Sequence, residues 1–193
     1  MPNLYIISGC NGAGKTTASY TILPEILNCK EFVNADEIAK GLSPFQPETV
    51  SFHAGRIMLE RINELLAQMV DFAIETTLTT LSYRKTIEVA RTKGYTVTLL
   101  FFWLNEVNLA IERVKTRVTE GGHSIPEEVI VRRYHKGLKN LTGVFVNLCD
   151  YWLIIDNSSR PYAFIAEGNE EVETIIYNEE VWHKIKNANN EKK

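Results

Sequence analysis

The sequence predicts an α/β domain with a parallel β-sheet, because short apolar runs alternate along the chain with longer segments of helical periodicity. The apolar runs are strand-sized and rich in β-branched and aromatic residues, and they lie at Leu4–Ser8, Phe32–Asn34, Phe72–Glu75, Thr96–Leu104 and Tyr151–Ile155. Crossovers between parallel strands are right-handed and helical. We therefore expect a three-layer fold around a central five-stranded parallel sheet.

The helices are predicted from apolar spacing and from the residues that begin or end helices. A helix over Lys15–Leu27 ends before Asn28, and Pro126 suits the first turn of a helix that runs toward Asn140. The remaining predicted helices are Glu48–Met69, Ser82–Lys93, Val107–Thr119 and Glu179–Lys186.

The pattern changes after Asp156. Tyr162–Glu167 and Val172–Tyr177 flank Gly168-Asn169, which predicts a β-hairpin. No linker or internal repeat interrupts the chain. We interpret residues 1–193 as a single domain that carries the hairpin and the last helix as an appendage at about 160–187.

Composition disfavours several classes of protein. The net charge of −3 argues against a general nucleic-acid binder, which normally carries a basic excess. The three cysteines, Cys10, Cys29 and Cys149, lack the spacing of a disulfide framework or a zinc site. No apolar run approaches the roughly 18 residues that would span a bilayer, and the N-terminus lacks a signal-peptide pattern. We expect a cytoplasmic protein with no membrane association.

A phosphate-binding motif lies between the first predicted strand and the first predicted helix. Residues 9–16 read GCNGAGKT, which fits G-x-x-x-x-G-K-[ST] at every fixed position. Backbone N–H groups of such a P-loop surround phosphates, the lysine contacts the β- and γ-phosphates, and the hydroxyl coordinates Mg²⁺. The sequence therefore predicts Mg-ATP binding, with Thr16 as a metal ligand, through Gly9, Asn11, Gly12, Ala13, Gly14, Lys15, Thr16 and Thr17.

Other motifs narrow the class of P-loop protein. The chain has no guanine-selecting N-K-x-D motif, and no predicted strand ends in the acidic pair common in motor ATPases. A kinase that phosphorylates a hydroxyl remains the favoured interpretation. A P-loop module that binds ATP without catalysis is an alternative from a different class.

Two acidic residues follow predicted strands, at the edge of the sheet where ligands bind. We predict that Asp36 is the catalytic base that accepts the hydroxyl proton. Asp36 also suits an alternative role as the cap of a short helix over Glu37–Lys40. Glu75 is predicted to support Mg²⁺ or to contact substrate, and four threonines follow it within residues 76–80, where they can line a polar pocket or form a turn.

A basic segment over about 113–133 suggests a helical lid. Arg113 and Arg117 are one helical turn apart and share a face, and Arg132 and Arg133 lie on the returning helix beyond Gly121-Gly122. Lid arginines stabilise the charge that develops on a transferring phosphoryl group. We predict catalytic roles for Lys15, Asp36, Arg113 and Arg117.

Together these motifs resemble the zeta-toxin family of P-loop kinases over about residues 4–145. The matching pieces are GxNGAGKTT at 9–17, VNADE at 33–37, IETTLTT at 74–80, and the lid helix with Arg113 followed by Ile125-Pro126. At one position the chain departs from the family, since His123 stands where a second lid arginine is usual.

The resemblance implies ATP-dependent phosphorylation of the nucleotide sugar UDP-N-acetylglucosamine and a possible antitoxin partner. Under it, Asp36 is the base, and Glu75 and Thr77 contact substrate. Another hydroxyl acceptor, such as a nucleoside, an antibiotic or a nucleic-acid end, stays open, although the acidic balance of the chain disfavours the last.

Overall fold

The structure is a computed structural model that describes residues 1–122, 124–169 and 174–188. Within these residues one sheet contains the strands β1 (Asn3–Gly9), β2 (Glu31–Val33), β3 (Phe72–Thr76), β4 (Thr96–Trp103), β5 (Tyr151–Asp156), β6 (Ala163–Asn169) and β7 (Ile175–Ile176). Their spatial order is β2-β3-β1-β4-β5-β6-β7, and the first five are parallel. The predicted five-stranded parallel sheet is therefore confirmed.

The predicted hairpin is present, but it extends the central sheet to seven strands. Strand β6 pairs antiparallel with β5, and β7 pairs antiparallel with β6. Gly168 and Asn169 belong to β6 instead of forming the turn, and residues 170–173 lie outside the described part of the chain. Backbone groups on the free edge of β5 need hydrogen-bond partners, and β6 supplies them.

The helices are α1 (Lys15–Thr21), α2 (Ala35–Leu42), α3 (Ser51–Gln68), α4 (Ser82–Thr92), α5 (Val107–Thr119), α6 (Glu127–Gly143) and α7 (Glu179–Asn187). Right-handed crossovers place α1, which leads from β1 back to β2, on one face of the sheet and the helices α2 to α6 on the other. The order of layers is therefore helix, sheet, helix, as predicted.

Two helical segments differ from the prediction. The first helix is α-helical only to Thr21 and continues as a π-helical turn over Ile22–Ile26, because Pro24 has no N–H to donate to the helix. Helix α2 is longer than the short segment over residues 37–40 that the sequence suggests. It begins at Ala35 because the side chain of Asn34 accepts hydrogen bonds from the first backbone N–H groups.

The core lies on both faces of the central strands, since Leu4 and Ile6 on one face of β1 are buried, as are Ile7 on the other face of β1 and Ala73 on that of β3. Strands covered on both faces read as continuous apolar runs, which is why the sequence located them. None of the helices in residues 1–122, 124–169 and 174–188 has the length and hydropathy needed to cross a membrane.

Candidate active site

The P-loop connects β1 to α1 in a conformation that depends on glycine. Gly12 and Gly14 have φ of 78° and 81°, which other residues rarely adopt. A Cβ on Gly12 would lie 2.7 Å from the carbonyl oxygen of Ala110, and one on Gly14 would lie 2.6 Å from Nδ2 of Asn157. The loop therefore packs between α5 and the segment after β5, with its N–H groups at the N-terminus of α1, where anions bind.

Lys15 is buried in this loop, although it carries a charge. Its Nζ donates a hydrogen bond of 2.9 Å to the carbonyl oxygen of Cys10 and lies 3.6 Å from Oε1 of Glu75. A buried ammonium group requires such partners to offset its lost hydration. The Lys15 charge is thereby held at the P-loop.

Glu75 links three elements at the carboxyl end of the sheet. Its Oε2 accepts hydrogen bonds from the hydroxyl of Thr16 at 2.8 Å and from Nδ2 of Asn34 at 2.9 Å. These contacts form because β3 lies between β1 and β2, so that residues at the carboxyl ends of all three strands come together. Burial raises the pKa of the Glu75 carboxyl above its ordinary value, against the opposing effects of Lys15 and Thr16.

Asp36 lies in the first turn of α2 and is not the helix cap, so the alternative interpretation of this residue is wrong. The cap is Asn34, whose Oδ1 accepts a hydrogen bond of 2.8 Å from the backbone N of Asp36. The Asp36 carboxylate stays available for another role.

Two adjoining cavities meet at Lys15, Asp36 and Glu75. The first, here called the P-loop cavity, has a volume of about 360 Å³ and is lined by the P-loop, the lid residues Arg113 and Arg117, and Arg160. The second, here called the threonine-loop cavity, has a volume of about 230 Å³ and is lined by Thr76, Thr77, Thr80, Tyr83 and Arg133. Both are also lined by Asn11, Lys15, Asp36 and Glu75.

The loop over residues 77–80 after β3, here called the threonine loop, is held in a strained conformation. Leu78 is fully buried with φ of 54°, a conformation that costs free energy in a residue with a branched side chain. The carbonyl oxygen of Leu78 accepts a hydrogen bond of 2.6 Å from Nδ2 of Asn140, and a Cβ on Gly137 would lie 2.7 Å from the carbonyl oxygen of Thr77. Helix α6 therefore fixes the position of Thr77 in the cavity.

The two lid arginines differ in their surroundings. Arg113 donates hydrogen bonds of 2.9 Å and 3.0 Å to the carbonyl oxygens of Asn157 and Ser158. Nε and Nη2 of Arg117 are buried and have no hydrogen-bond partner within the described residues. Buried N–H groups without partners are costly, and an anion in the P-loop cavity, which Arg117 lines, would supply partners. His123, singled out in the sequence, lies outside the described residues.

A third and larger cavity, here called the sheet-face cavity, adjoins the P-loop cavity on the α1 face of the sheet. Its volume is about 760 Å³, and its walls include Leu100, Phe102, Leu153, Ile155 and Phe164. It shares Gly14, Thr17, Asn157 and Arg160 with the P-loop cavity. An apolar space that opens onto a phosphate-binding loop suits a flat ring attached to phosphates.

A known protein family matches most of this chain. The family described as Zeta toxin matches residues 1–178. The chain belongs to the Zeta toxin family. An uncharacterized protein of Haemophilus influenzae is 29% identical over 126 residues, which cover 65% of this chain and 88% of that protein.

Solved structures show the same fold for this zeta-toxin family member. A chain of the AvrRxo1-ORF1:AvrRxo1-ORF2 complex with ATP superposes with a TM-score of 0.78 at 17% identity, over 96% of this chain and 64% of that chain. The present chain thus spans less than two thirds of that neighbour. A chain of the PezAT chromosomal toxin–antitoxin system of Streptococcus pneumoniae gives a TM-score of 0.68 at 18% identity, over 100% and 88% of the respective chains. The sequence match thus shows the family, and these structures show the fold.

The zeta-toxin site also contains residues that sequence reasoning did not select. Asn157 donates a hydrogen bond of 2.8 Å to the carbonyl oxygen of Ala13 and thereby fixes the P-loop. Arg160 lines the P-loop cavity, and Tyr83 lines the threonine-loop cavity. Arg133 was recognised only as one of several basic lid residues. Single residues of common types give no sequence signal, since only the packing of distant elements brings them to the site.

The residues present fit Mg²⁺ and ATP. The Thr16 hydroxyl and the carboxylates of Asp36 and Glu75 line one cavity, and oxygen is the ligand atom that Mg²⁺ prefers. The unpartnered nitrogens of Arg117 and the Lys15 ammonium provide positive charge for phosphates at the same place.

Proposed function

We propose that this protein is an ATP-dependent kinase that transfers the γ-phosphoryl group to a hydroxyl of a small molecule. The observation that carries the proposal is that Lys15 and Asp36 line both the P-loop cavity and the threonine-loop cavity. A phosphate donor in the first cavity and a hydroxyl acceptor in the second would therefore meet beside these two side chains. Transfer needs the donor and the acceptor to be adjacent and in line.

The phosphate donor, ATP, binds at the P-loop. The N–H groups of residues 9–16 and the Lys15 ammonium bind the phosphates, and Arg117 finds its missing partners in the phosphate oxygens. The adenosine extends past Gly14 into the part of the sheet-face cavity beside Asn157 and Arg160. Strand β6, which carries Phe164, forms the far wall.

The chemical step requires one base. The acceptor oxygen forms a bond to the γ-phosphorus, the bond from that phosphorus to the β–γ bridging oxygen breaks, ADP leaves, and Asp36 accepts the hydroxyl proton. Thr16 and Glu75 would hold Mg²⁺, and the Glu75 carboxylate accepts the hydrogen bond of the Thr16 hydroxyl. When bound, the metal ion neutralises charge on the transferring phosphoryl group.

The proposed acceptor is a nucleotide sugar such as UDP-N-acetylglucosamine, and family membership supports this choice. Thr77 would contact the sugar in the threonine-loop cavity, whereas the two oxygens of Glu75 already face Thr16, Asn34 and Lys15. We also propose an antitoxin as protein partner, since the similar PezAT chain comes from a toxin–antitoxin system.

The test is ATP consumption by the purified protein with and without UDP-N-acetylglucosamine, followed by mass spectrometry of the sugar nucleotide. We expect a mass gain of one phosphate, and we expect Asp36→Asn to bind ATP normally but to transfer nothing. Glu37→Gln changes an exposed acid on the same helix and serves as the matched control. Turnover that survives Asp36→Asn would remove Asp36 from the role of base.

ATP binding without any transfer to this compound would redirect the search to nucleosides, antibiotics and other hydroxyl acceptors. ATP binding without transfer to any acceptor of that panel would favour a non-catalytic ATP-binding module.

A further inference from the structure

Arg133 of α6 is a basic residue of the threonine-loop cavity, which also contains Asp36 and Lys15 in its lining. It lines the threonine-loop cavity and not the P-loop cavity, whereas Arg113 and Arg117 line only the P-loop cavity. Its Nη1 donates a hydrogen bond of 3.1 Å to Oδ1 of Asn11, a P-loop residue that lines both cavities. The guanidinium is thus anchored at the junction of the two cavities.

The Arg133 charge is only partly compensated. Within the described residues it forms no ion pair, and the contact with Asn11 is its one hydrogen bond, so most of its five N–H donors remain for a ligand. Burial lowers the pKa of the Arg133 guanidinium, the charge of Arg132 adds to that effect, and the Asp36 carboxylate opposes it. A partly buried cation of this kind is stabilised when an anion binds beside it.

We propose that Arg133 forms an anion subsite in the threonine-loop cavity, and that the acceptor carries a phosphate or carboxylate group close to the hydroxyl that is phosphorylated. The inference rests on the proposed kinase function and narrows its substrate class. A neutral acceptor would leave the Arg133 donors unpaired inside the cavity, so the same residue selects against it. Because Arg133 also contacts Asn11, occupancy of the anion subsite positions the acceptor relative to the P-loop.

The first arm of the test needs no knowledge of the acceptor. The protein is saturated with a non-hydrolysable ATP analogue to fill the P-loop cavity, and binding of inorganic phosphate is then measured by calorimetry. We expect wild-type protein and Arg132→Met to bind one phosphate, and Arg133→Met to lose about 10- to 100-fold in affinity, the range for hydrogen bonds to charged groups. Arg132 is the matched control because it is exposed, neighbours Arg133 on α6 and lines neither cavity.

The second arm measures transfer to three probes that differ in anionic groups: UDP-N-acetylglucosamine, N-acetylglucosamine 1-phosphate and N-acetylglucosamine. Arg133→Met should raise KM for the two anionic probes about 10- to 100-fold, leave KM for ATP unchanged, and reduce their advantage over the neutral sugar. Arg133→Lys, which keeps the charge without the planar fork of donors, should restore part of the loss.

Distinct results overturn the two proposals. Equal phosphate affinity of Arg133→Met and wild-type protein, or equal kcat/KM of wild-type protein for the neutral and the anionic sugars, would eliminate the anion subsite. Absence of transfer to all three probes, with the phosphate result as expected, would reject the proposed acceptor and retain the subsite.

Discussion

The hydroxyl of Thr16 donates a hydrogen bond of 2.8 Å to Oε2 of Glu75, and this contact ties the P-loop to the carboxyl end of β3. In P-loop proteins the hydroxyl at this position coordinates Mg²⁺. The contact therefore places the Glu75 carboxylate where it can orient the hydroxyl and add negative charge beside the metal. The prediction of Glu75 as a substrate contact remains untested, and the geometry favours the metal side of the site.

Glu75→Gln should lower kcat by about 10²-fold or more, because a neutral amide cannot supply the charge that supports the metal beside Thr16. The measurement is steady-state ATP consumption as a function of Mg²⁺ concentration. Glu60→Gln, an exposed change on α3, is the control. A wild-type rate with unaltered Mg²⁺ dependence would contradict a role for Glu75 at the metal.

The same variant should change how stability depends on pH. Burial raises the pKa of Glu75 above its ordinary value of 4.5, so between 4.5 and the raised value the folded protein keeps a proton that the unfolded chain has released. The free energy of unfolding of the wild type therefore falls as pH rises through that window, and the Glu75→Gln variant lacks this loss. The measurement is denaturant unfolding of both proteins at pH 4.5 and pH 8, without nucleotide. The free energy of unfolding of Glu75→Gln relative to that of the wild type should be higher at pH 8 than at pH 4.5. A difference that is independent of pH would contradict the shift.

Arg117→Met should lower kcat without loss of stability, whereas Arg113→Met should lower stability. Nε and Nη2 of Arg117 are buried without partners among the described residues, so its removal should leave Tm unchanged or raised and lower kcat about 10²-fold or more. Arg113 binds two carbonyl oxygens after β5, so its removal should lower the free energy of unfolding by about 1–3 kcal/mol. The measurements are thermal unfolding and kcat, and each variant is the control for the other. A wild-type kcat for Arg117→Met would contradict a catalytic role for Arg117.

Gly137→Ala should displace the threonine loop through a direct steric contact from α6. The added Cβ would lie 2.7 Å from the carbonyl oxygen of Thr77, and relief of that contact should cost about 1–3 kcal/mol of stability and raise KM for the acceptor. Gly55→Ala is the matched control, because a Cβ at Gly55 in α3 meets no atom within 4 Å and should stabilise the protein by about 0.5–1 kcal/mol. An unchanged acceptor KM in Gly137→Ala would separate the loop from substrate binding.

The parts of the fold that local sequence encodes were predictable. The P-loop was identified because its glycines, lysine and threonine occupy fixed spacings between a strand and a helix, and the central strands were located because burial on both faces requires unbroken apolar runs. The bounds of α5 match the prediction. The role of Asn34 as cap of α2 was missed, since Asp36 two residues later is an equally good cap by residue type.

The sequence by itself determined the class of sheet, the phosphate-binding loop and the family, because each depends on short runs whose residues act on their own backbone. Only the tertiary structure decided which side chains share a cavity. Glu75 meets Thr16 and Asn34 because β3 lies between β1 and β2, and Arg133 reaches Asn11 because α6 crosses back over β1. The order of strands and the packing of helices bring together residues as far as 144 positions apart, as with Ala13 and Asn157, and no local pattern records such proximity.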